Sequence, residues 1–189
     1  MRALIVVDVQ YDFLPGGSLA VPEGDEIIAP INAIYDKFDL VVFTQDYHPA
    51  NHCSFKTHGG LWPDHCVQGT QGAQINRRFL KMNHSINVIQ KGVNQDVDSY
   101  SGFWDNDRKH KTPLDDFLKE RKIDTVCIAG LATNFCVKFT ALDALDAGYG
   151  VFLIKDACKG IDINPGDVDR SIVEMIEKGI KIVSYKDFV

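Results

Sequence analysis

The chain has 189 residues, of which 45% are hydrophobic, so it can bury a full core, and we expect one domain over residues 1–189. Its net charge of -6 argues against general binding to nucleic acids or anionic membranes, and no apolar run approaches the ~20 residues that span a bilayer. Five cysteines without regular spacing or a CxxC pair favour a reduced, cytoplasmic protein over a disulfide scaffold.

Predicted strands and helices alternate along the chain. Residues 3–9 form an apolar, β-branched run that is typical of a strand buried on both faces, and the chain enters it so early that we expect no signal peptide. Further strands are predicted at 40–44, 86–90, 125–129, 151–154 and 180–183, and helices at 25–38, 112–122, 134–147 and 167–178. This order predicts a single doubly wound α/β domain, with a mostly parallel six-stranded sheet and helices on both faces.

Residues 45–72 interrupt the alternation with little periodicity of either kind. Connections of that length inside a compact domain are usually functional or disordered. This one carries Trp62 and four of the six histidines, so we expect it to be ordered and functional.

A strand-to-helix turn carries the first candidate reactive residue, Cys136. Asn134 is a favourable helix N-cap, which would place Cys136 in the first helical turn. There, unpaired N–H groups and the positive end of the helix dipole favour a thiolate, and the same groups could hold an oxyanion. The alternative is an inert cysteine that packs as a small buried hydrophobe.

Asp8, Lys91 and Cys136 each fall at the carboxyl end of a predicted strand, the edge at which such sheets bind ligands. A carboxylate can accept the proton of a thiol, and an ammonium can stabilise the anions that follow. In the alternative interpretation the three are independent: Asp8 caps a turn, Lys91 is a solvated charge and Cys136 is inert.

Asp46, His48, His52 and His65 lie in the long loop or at its start. Asp46 and His48 are two residues apart, so in extended chain their side chains point the same way. Two imidazoles and a carboxylate with room for water suit Zn²⁺, Fe²⁺ or Mn²⁺ in an open site. His52 is either a fourth ligand or a residue behind the ligands. The alternative is a polar loop whose histidines only satisfy backbone groups.

Three aromatic residues, Phe13, Trp62 and Tyr100, also fall in loops next to predicted strands. Aromatic side chains above a sheet can sandwich a flat ring, although single exposed aromatics carry no functional meaning. Neither of the glycine motifs that bind phosphates occurs, so nucleotide binding has no support from motifs.

These residues stand in five segments that together resemble the isochorismatase-like cysteine hydrolases, and within them the nicotinamidases. The segments are VVDVQYDF (6–13), TQDYHPANHCSF (44–55), LWPDHCVQGTQGA (61–73), QKG (90–92) with SYSGF (99–103), and GLATNFCVKFTALDA (130–144). They keep a consistent order and spacing over nearly the whole chain.

The resemblance implies a metal-dependent cysteine amidohydrolase that converts nicotinamide to nicotinic acid and ammonia through a thioester, in NAD salvage. It also implies a cis peptide before Ala132. The residues implied are Asp8, Lys91 and Cys136 as a catalytic triad; Asp46, His48 and His65, joined in some members by His52, as ligands of one divalent metal ion; Phe13, Trp62 and Tyr100 around the pyridine ring; and the N–H groups of Ala132 and Cys136 as the oxyanion hole.

Two other interpretations stay open at this point. One is a sister hydrolase, either an isochorismatase or an amidase acting on a carbamoyl or ureido group; isochorismatases of this fold work without the metal and without a nucleophilic cysteine. The other is a non-catalytic small-molecule-binding module. The expected partner is a small molecule, nicotinamide or its ring analogue pyrazinamide, rather than nucleic acid or membrane. No pattern specifies whether the chain forms a homo-oligomer.

Overall fold

The computed structural model describes residues 1–79 and 86–189. In those residues six strands form one sheet in the order 3-2-1-4-5-6, and every neighbouring pair is parallel. The strands are β1 (Arg2–Val7), β2 (Leu40–Asp46), β3 (Asn87–Lys91), β4 (Thr125–Leu131), β5 (Gly150–Lys159) and β6 (Lys181–Val183). The α-helices are α1 (Ile28–Ile34), α2 (Leu114–Glu120), α3 (Lys138–Asp146) and α4 (Asp167–Glu177). The predicted doubly wound fold is confirmed.

The central strand β1 shows why its sequence is almost entirely apolar. Its neighbours are β2 and β4, and successive side chains of a strand point to opposite faces. Ala3, Ile5 and Val7 enter the core that α2, α3 and α4 cover, whereas Leu4 and Val6 enter the core on the side of α1. Because both faces are covered, there is no polar alternation, as is usual for a buried parallel strand.

The predicted helix at 25–38 is shorter in the structure and has a different character at its ends. A 3₁₀ turn over Gly24–Ile27 leads into α1, and a second 3₁₀ turn covers Tyr35–Lys37. Pro30 explains the start of α1, because proline has no N–H to donate to the carbonyl four residues earlier and is tolerated only in the first turn of a helix.

Strand β5 is longer than the predicted 151–154. A register shift between Ile128 and Gly130 of β4 allows the pairing to resume at Cys158 and Lys159. Such an irregularity bends the strand and re-aims the residues that follow it. In this fold the residues that follow β4 include Cys136.

The long connection after β2 is ordered and folds back over the carboxyl edge of the sheet. Short bridges join His48 to Val67 and Phe55 to Trp62, and the Phe55 side chain is fully buried. The backbone N–H of Cys66 donates to the Asp12 carboxylate at 2.7 Å, which ties this connection to the loop after β1. Among the described residues, no helix has the length and apolar character needed to cross a bilayer.

Candidate active site

The structure brings Asp8, Lys91 and Cys136 together at the carboxyl edge of the sheet. Asp8 directly follows β1, Lys91 is the last residue of β3, and Cys136 lies in the turn after β4. The Lys91 ammonium lies 2.9 Å from Asp8 Oδ2 and donates a hydrogen bond to Cys136 Sγ at 3.4 Å. All three side chains are buried. Parallel strands align their carboxyl ends, and this places three residues that are far apart in the sequence side by side.

Lys91 has two further partners, of which sequence reasoning identified neither. Its ammonium donates to Asp46 Oδ1 at 2.5 Å and to the Ser99 carbonyl at 2.8 Å. Burial by itself would lower the pKa of Lys91, but the carboxylates of Asp46 and Asp8 raise that pKa well above its usual value. The side chain therefore stays charged although it is 1% exposed. A buried ammonium is tolerated only when it is paired in this way.

Asp8 and Asp46 are each fixed by a neighbour. Thr44 Oγ1 donates to Asp8 Oδ1 at 2.6 Å, which leaves Oδ2 turned toward Lys91. The Gln10 side chain bonds both backbone groups of Asp46, donating to its carbonyl at 2.7 Å and accepting from its N–H at 2.8 Å. Gln10 belongs to the VVDVQYDF segment, but nothing in its periodicity indicates this contact across two strands.

The expected thiolate at Cys136 is not what the structure favours. Burial raises the pKa of the Cys136 thiol well above its usual value; Lys91 lowers it, but the carboxylates of Asp8 and Asp46 raise it further. Burial also raises the pKa of Asp8, although the positive charge of Lys91 acts to lower it. The thiol and the carboxyl group thus both bind protons more strongly than usual, and proton transfer between them needs no distant base.

Asn134 is not the helix N-cap that the sequence predicted. The turn after β4 is a π-turn over Thr133–Val137, in which the N–H of Val137 donates to the Ala132 carbonyl at 3.2 Å. This geometry directs the Asn134 side chain to the chain after β5, where it donates to the Ile161 carbonyl at 2.9 Å and accepts from the Ile161 N–H at 3.1 Å.

Ala132 has the backbone that the resemblance implies. The peptide bond from Leu131 to Ala132 is cis. Ala132 and Cys136 both line one cavity at this edge of the sheet. Their roles as oxyanion donors remain a proposal.

Asp46, His48 and His65 offer ligand atoms that all lie within 4.8 Å of one another. His48 Nδ1 is 2.8 Å from the Gly92 carbonyl and His65 Nδ1 is 2.7 Å from the Pro63 carbonyl. Each ring therefore presents Nε2, the arrangement usual for metal-binding histidines. His48 Nε2 is buried without a hydrogen-bond partner, and its nearest charged neighbour is Asp46 Oδ2 at 3.5 Å. An orphaned acceptor beside a carboxylate and a second imidazole fits a divalent cation, the site predicted from the sequence.

His52 does not join that set of three. Its ring stacks on His48 with the centroids 4.1 Å apart. Its Nδ1 lies 2.7 Å from Ser54 Oγ, and its Nε2 lies 3.3 Å from the Val97 carbonyl. The group that His52 does form is with His48 and Asp98. Direct ligation by His52 stays a prediction, whereas its support of the His48 ring is visible.

A cavity of about 440 Å³, including its mouth, opens beside Cys136. The three predicted aromatic residues all line it, and Trp62 Nε1 donates to the Tyr100 hydroxyl at 3.2 Å. Sequence reasoning missed five lining residues, Leu19, Val21, Asp98, Phe135 and Ile161. Of these five, only Phe135 could have been predicted from the sequence, because it is next to Cys136. The other four lie in loops, where no periodicity indicates which residues line a cavity.

The four cysteines outside the turn after β4 are buried or half-buried. All five are free. Burial raises the pKa of Cys127 to about 11 and that of Cys158 to about 12, so both are poor nucleophiles that pack in the core.

Comparison with known proteins agrees with this geometry. The family model of the isochorismatase domain matches residues 2–187. The nicotinamidase of Escherichia coli (strain K12) is 43% identical over 206 residues, covering 99% of this chain and 96% of that protein. PnC1 from L. infantum in complex with nicotinate superimposes with a TM-score of 0.93 at 40% identity, covering 100% of this chain and 95% of that one. The pyrazinamidase of Pyrococcus horikoshii in complex with zinc gives 0.86 at 45% identity, covering 97% and 98%.

Proposed function

Since the chain belongs to the isochorismatase family, we propose that it hydrolyses nicotinamide to nicotinic acid and ammonia, a step of NAD salvage. The observation that carries the proposal is the Asp8, Lys91 and Cys136 cluster, which opens on an aromatic-lined cavity beside a metal-binding set. A relative at 43% identity over nearly its whole length is a nicotinamidase, and a similar structure holds nicotinate.

The reaction begins with Cys136 as the nucleophile. Asp8 takes the thiol proton while the sulfur attacks the carboxamide carbon, so the proton moves between two groups whose pKa values burial has raised together. Lys91 stays charged and stabilises the anionic sulfur 3.4 Å away. Asp8 then gives the same proton to the amide nitrogen. The C–N bond breaks, ammonia leaves, and a thioester to Cys136 remains.

The N–H groups of Ala132 and Cys136 hold the tetrahedral oxyanion. One such donor is worth roughly 3 kcal/mol in comparable sites. The second half of the reaction uses Asp8 again: it takes a proton from water, the hydroxide adds to the thioester carbon, and the C–S bond breaks. The departing sulfur recovers its proton from Asp8, which restores the starting state.

Asp46, His48 and His65 would hold one divalent cation. Zinc, iron and manganese all suit two imidazoles and a carboxylate, and a similar pyrazinamidase structure contains zinc. When bound there, such an ion supplies Lewis acidity beside the reacting carboxamide. The chain's own residues set its position, because Gly92 and Pro63 fix the two imidazoles through their carbonyls.

Phe13, Trp62 and Tyr100 supply the walls for a flat ring. Phe13 packs 5.6 Å from His65, and Trp62 is fixed by its hydrogen bond to Tyr100. An apolar slot with few polar groups suits pyridine and the related pyrazine of pyrazinamide. We place the reaction in the cytoplasm because all five cysteines are free thiols.

The test is ammonia release from nicotinamide by the parent and two matched variants. Cys136→Ala should abolish turnover while the protein keeps its fold and its zinc content, because the sulfur is not one of the three proposed ligands. Cys53→Ala removes a half-buried thiol from the long connection after β2 and should leave turnover unchanged. Intact-mass measurement of acid-quenched parent enzyme should show the nicotinoyl adduct. Ammonia release by Cys136→Ala would refute the mechanism, and activity only on a carbamoyl or ureido substrate would favour the sister amidase.

A further inference from the structure

Asp98 lines the cavity but belongs to neither the triad nor the predicted metal ligands. Its Oδ1 accepts from the N–H of Ser99 at 2.8 Å, and its carbonyl accepts from the N–H of Asn106 at 2.8 Å. These bonds hold a half-buried carboxylate in one place. Its ligand atom lies within 4.8 Å of those of His48 and His52.

His48 belongs to both groups. His48 Nδ1 is engaged by the Gly92 carbonyl, so Nε2 is the atom that His48 offers, and it is buried without a hydrogen-bond partner. Asp46 and His65 stand with His48 in one group, and Asp98 and His52 in the other. Asp98 also lines the same cavity as Asp46 and His65. Asp98 therefore lies near the position that an ion bound to His48 would take.

The charges around this position do not balance without Asp98. The carboxylates of Asp8 and Asp46 both pair with Lys91, so these three side chains together carry one negative charge. Histidines bind metals in the neutral form and add none. A divalent cation would leave one positive charge uncompensated among buried side chains, which is costly. One further carboxylate brings the sum to zero.

We propose that Asp98 is the charge-balancing carboxylate of the metal site, on which tight binding of a divalent cation depends. This inference rests on the metal site of the proposed function. Asp46 cannot take the role alone, because its carboxylate also pairs with the Lys91 ammonium at 2.5 Å. Asp98 has no such ammonium partner among the ion pairs of the described residues.

The test measures the affinity of metal-stripped protein for Zn²⁺ by competition with a chelating fluorescent indicator. Asp98→Asn should weaken zinc binding by roughly 10- to 100-fold, the usual effect of removing a supporting group from a metal site. Asp96→Asn is the matched control: it removes the same charge two residues away from an exposed side chain, and its affinity should equal that of the parent. Asp98→Glu keeps the charge and should recover most of the affinity.

The outcomes separate the two proposals. If the parent binds zinc and Asp98→Asn binds it equally well, the role of Asp98 is wrong and the metal site stands. If the parent binds no zinc, both proposals are wrong. If Asp98→Asn and Asp96→Asn weaken binding equally, the effect is general electrostatics and the specific role is refuted. Melting temperatures of the metal-free variants show that the fold is retained, and Asp98→Glu decides the question if Asp98→Asn does not fold.

Discussion

Gly92 provides a sharp test of how the chain positions His48. It directly follows β3 and has a φ of +62°, a backbone conformation that residues other than glycine rarely adopt. A Cβ built there would lie 2.4 Å from Cε1 and 2.6 Å from Nδ1 of His48. The carbonyl of Gly92 also accepts from His48 Nδ1 at 2.8 Å. The Gly92→Ala substitution therefore changes the backbone preference and the space available to a proposed ligand at once.

The two effects can be separated with Gly148→Ala. Gly148 also has a positive φ, +91°, but a Cβ there would meet nothing within 4 Å. Each substitution should cost about 1–2 kcal/mol of stability for the left-handed backbone. Only in Gly92→Ala must the His48 ring retreat, by about 1 Å, to reach an ordinary carbon–carbon contact. A displacement of about 1 Å in a site of this kind costs up to 100-fold in activity.

The assays are thermal unfolding of the metal-free proteins, zinc affinity by indicator competition, and ammonia release from nicotinamide. Gly92→Ala should lose more stability than Gly148→Ala, because overpacking against the buried His48 ring adds about 1–3 kcal/mol to the backbone cost that both share. Gly92→Ala alone should lose zinc affinity and most of its turnover. If Gly92→Ala binds zinc as tightly as Gly148→Ala does, then His48 is not a ligand held by this glycine, and the reasoning is refuted.

Three further predictions concern residues whose own side chains are buried. Lys91→Met should destabilise the metal-free protein by about 3–5 kcal/mol at pH 7, since it leaves two carboxylates unpaired; the loss should shrink as the pH falls, because protonation removes the unpaired charges. Asn134→Asp removes the amide donor to the Ile161 carbonyl and should raise KM for nicotinamide about tenfold with a smaller change in kcat, as expected for one lost hydrogen bond to a cavity wall. Tyr149→Phe removes the buried hydroxyl that donates to Asp115 at 2.8 Å, and should cost about 1 kcal/mol of stability with kcat unchanged.

Each of these has an outcome that contradicts it. For Lys91→Met, the prediction is wrong if urea unfolding gives the variant the same free energy of unfolding as the parent at both pH 7 and pH 5. For Asn134→Asp, a fall in kcat with KM unchanged would mean that the side chain supports the nucleophile rather than the cavity wall. For Tyr149→Phe, a large loss of kcat would contradict the prediction, because it would show that the core around Tyr149 is coupled to the active site.

The sequence predicted the fold and the chemical character of the site because both follow from local patterns. An apolar, β-branched run such as 3–9 is typical of a parallel strand that is buried on both faces. Once the strands are parallel, their carboxyl ends share one edge, so Asp8, Lys91 and Cys136 could be expected near one another. The Asp46 and His48 pair follows from the two-residue period of extended chain.

Only the tertiary structure decided which side-chain atoms are in contact and which titratable groups keep their protons. The ammonium of Lys91 bonds Asp46 as well as Asp8, the Asn134 amide bonds Ile161 instead of capping a helix, and Cys136 favours the thiol. Periodicity reports the face on which a side chain lies, but these contacts join residues 27 to 83 positions apart and depend on strand register and loop paths. The protonation state of a side chain also depends on its burial, because removing water penalises the charged form. The sequence does not indicate how deeply an individual cysteine sulfur is buried.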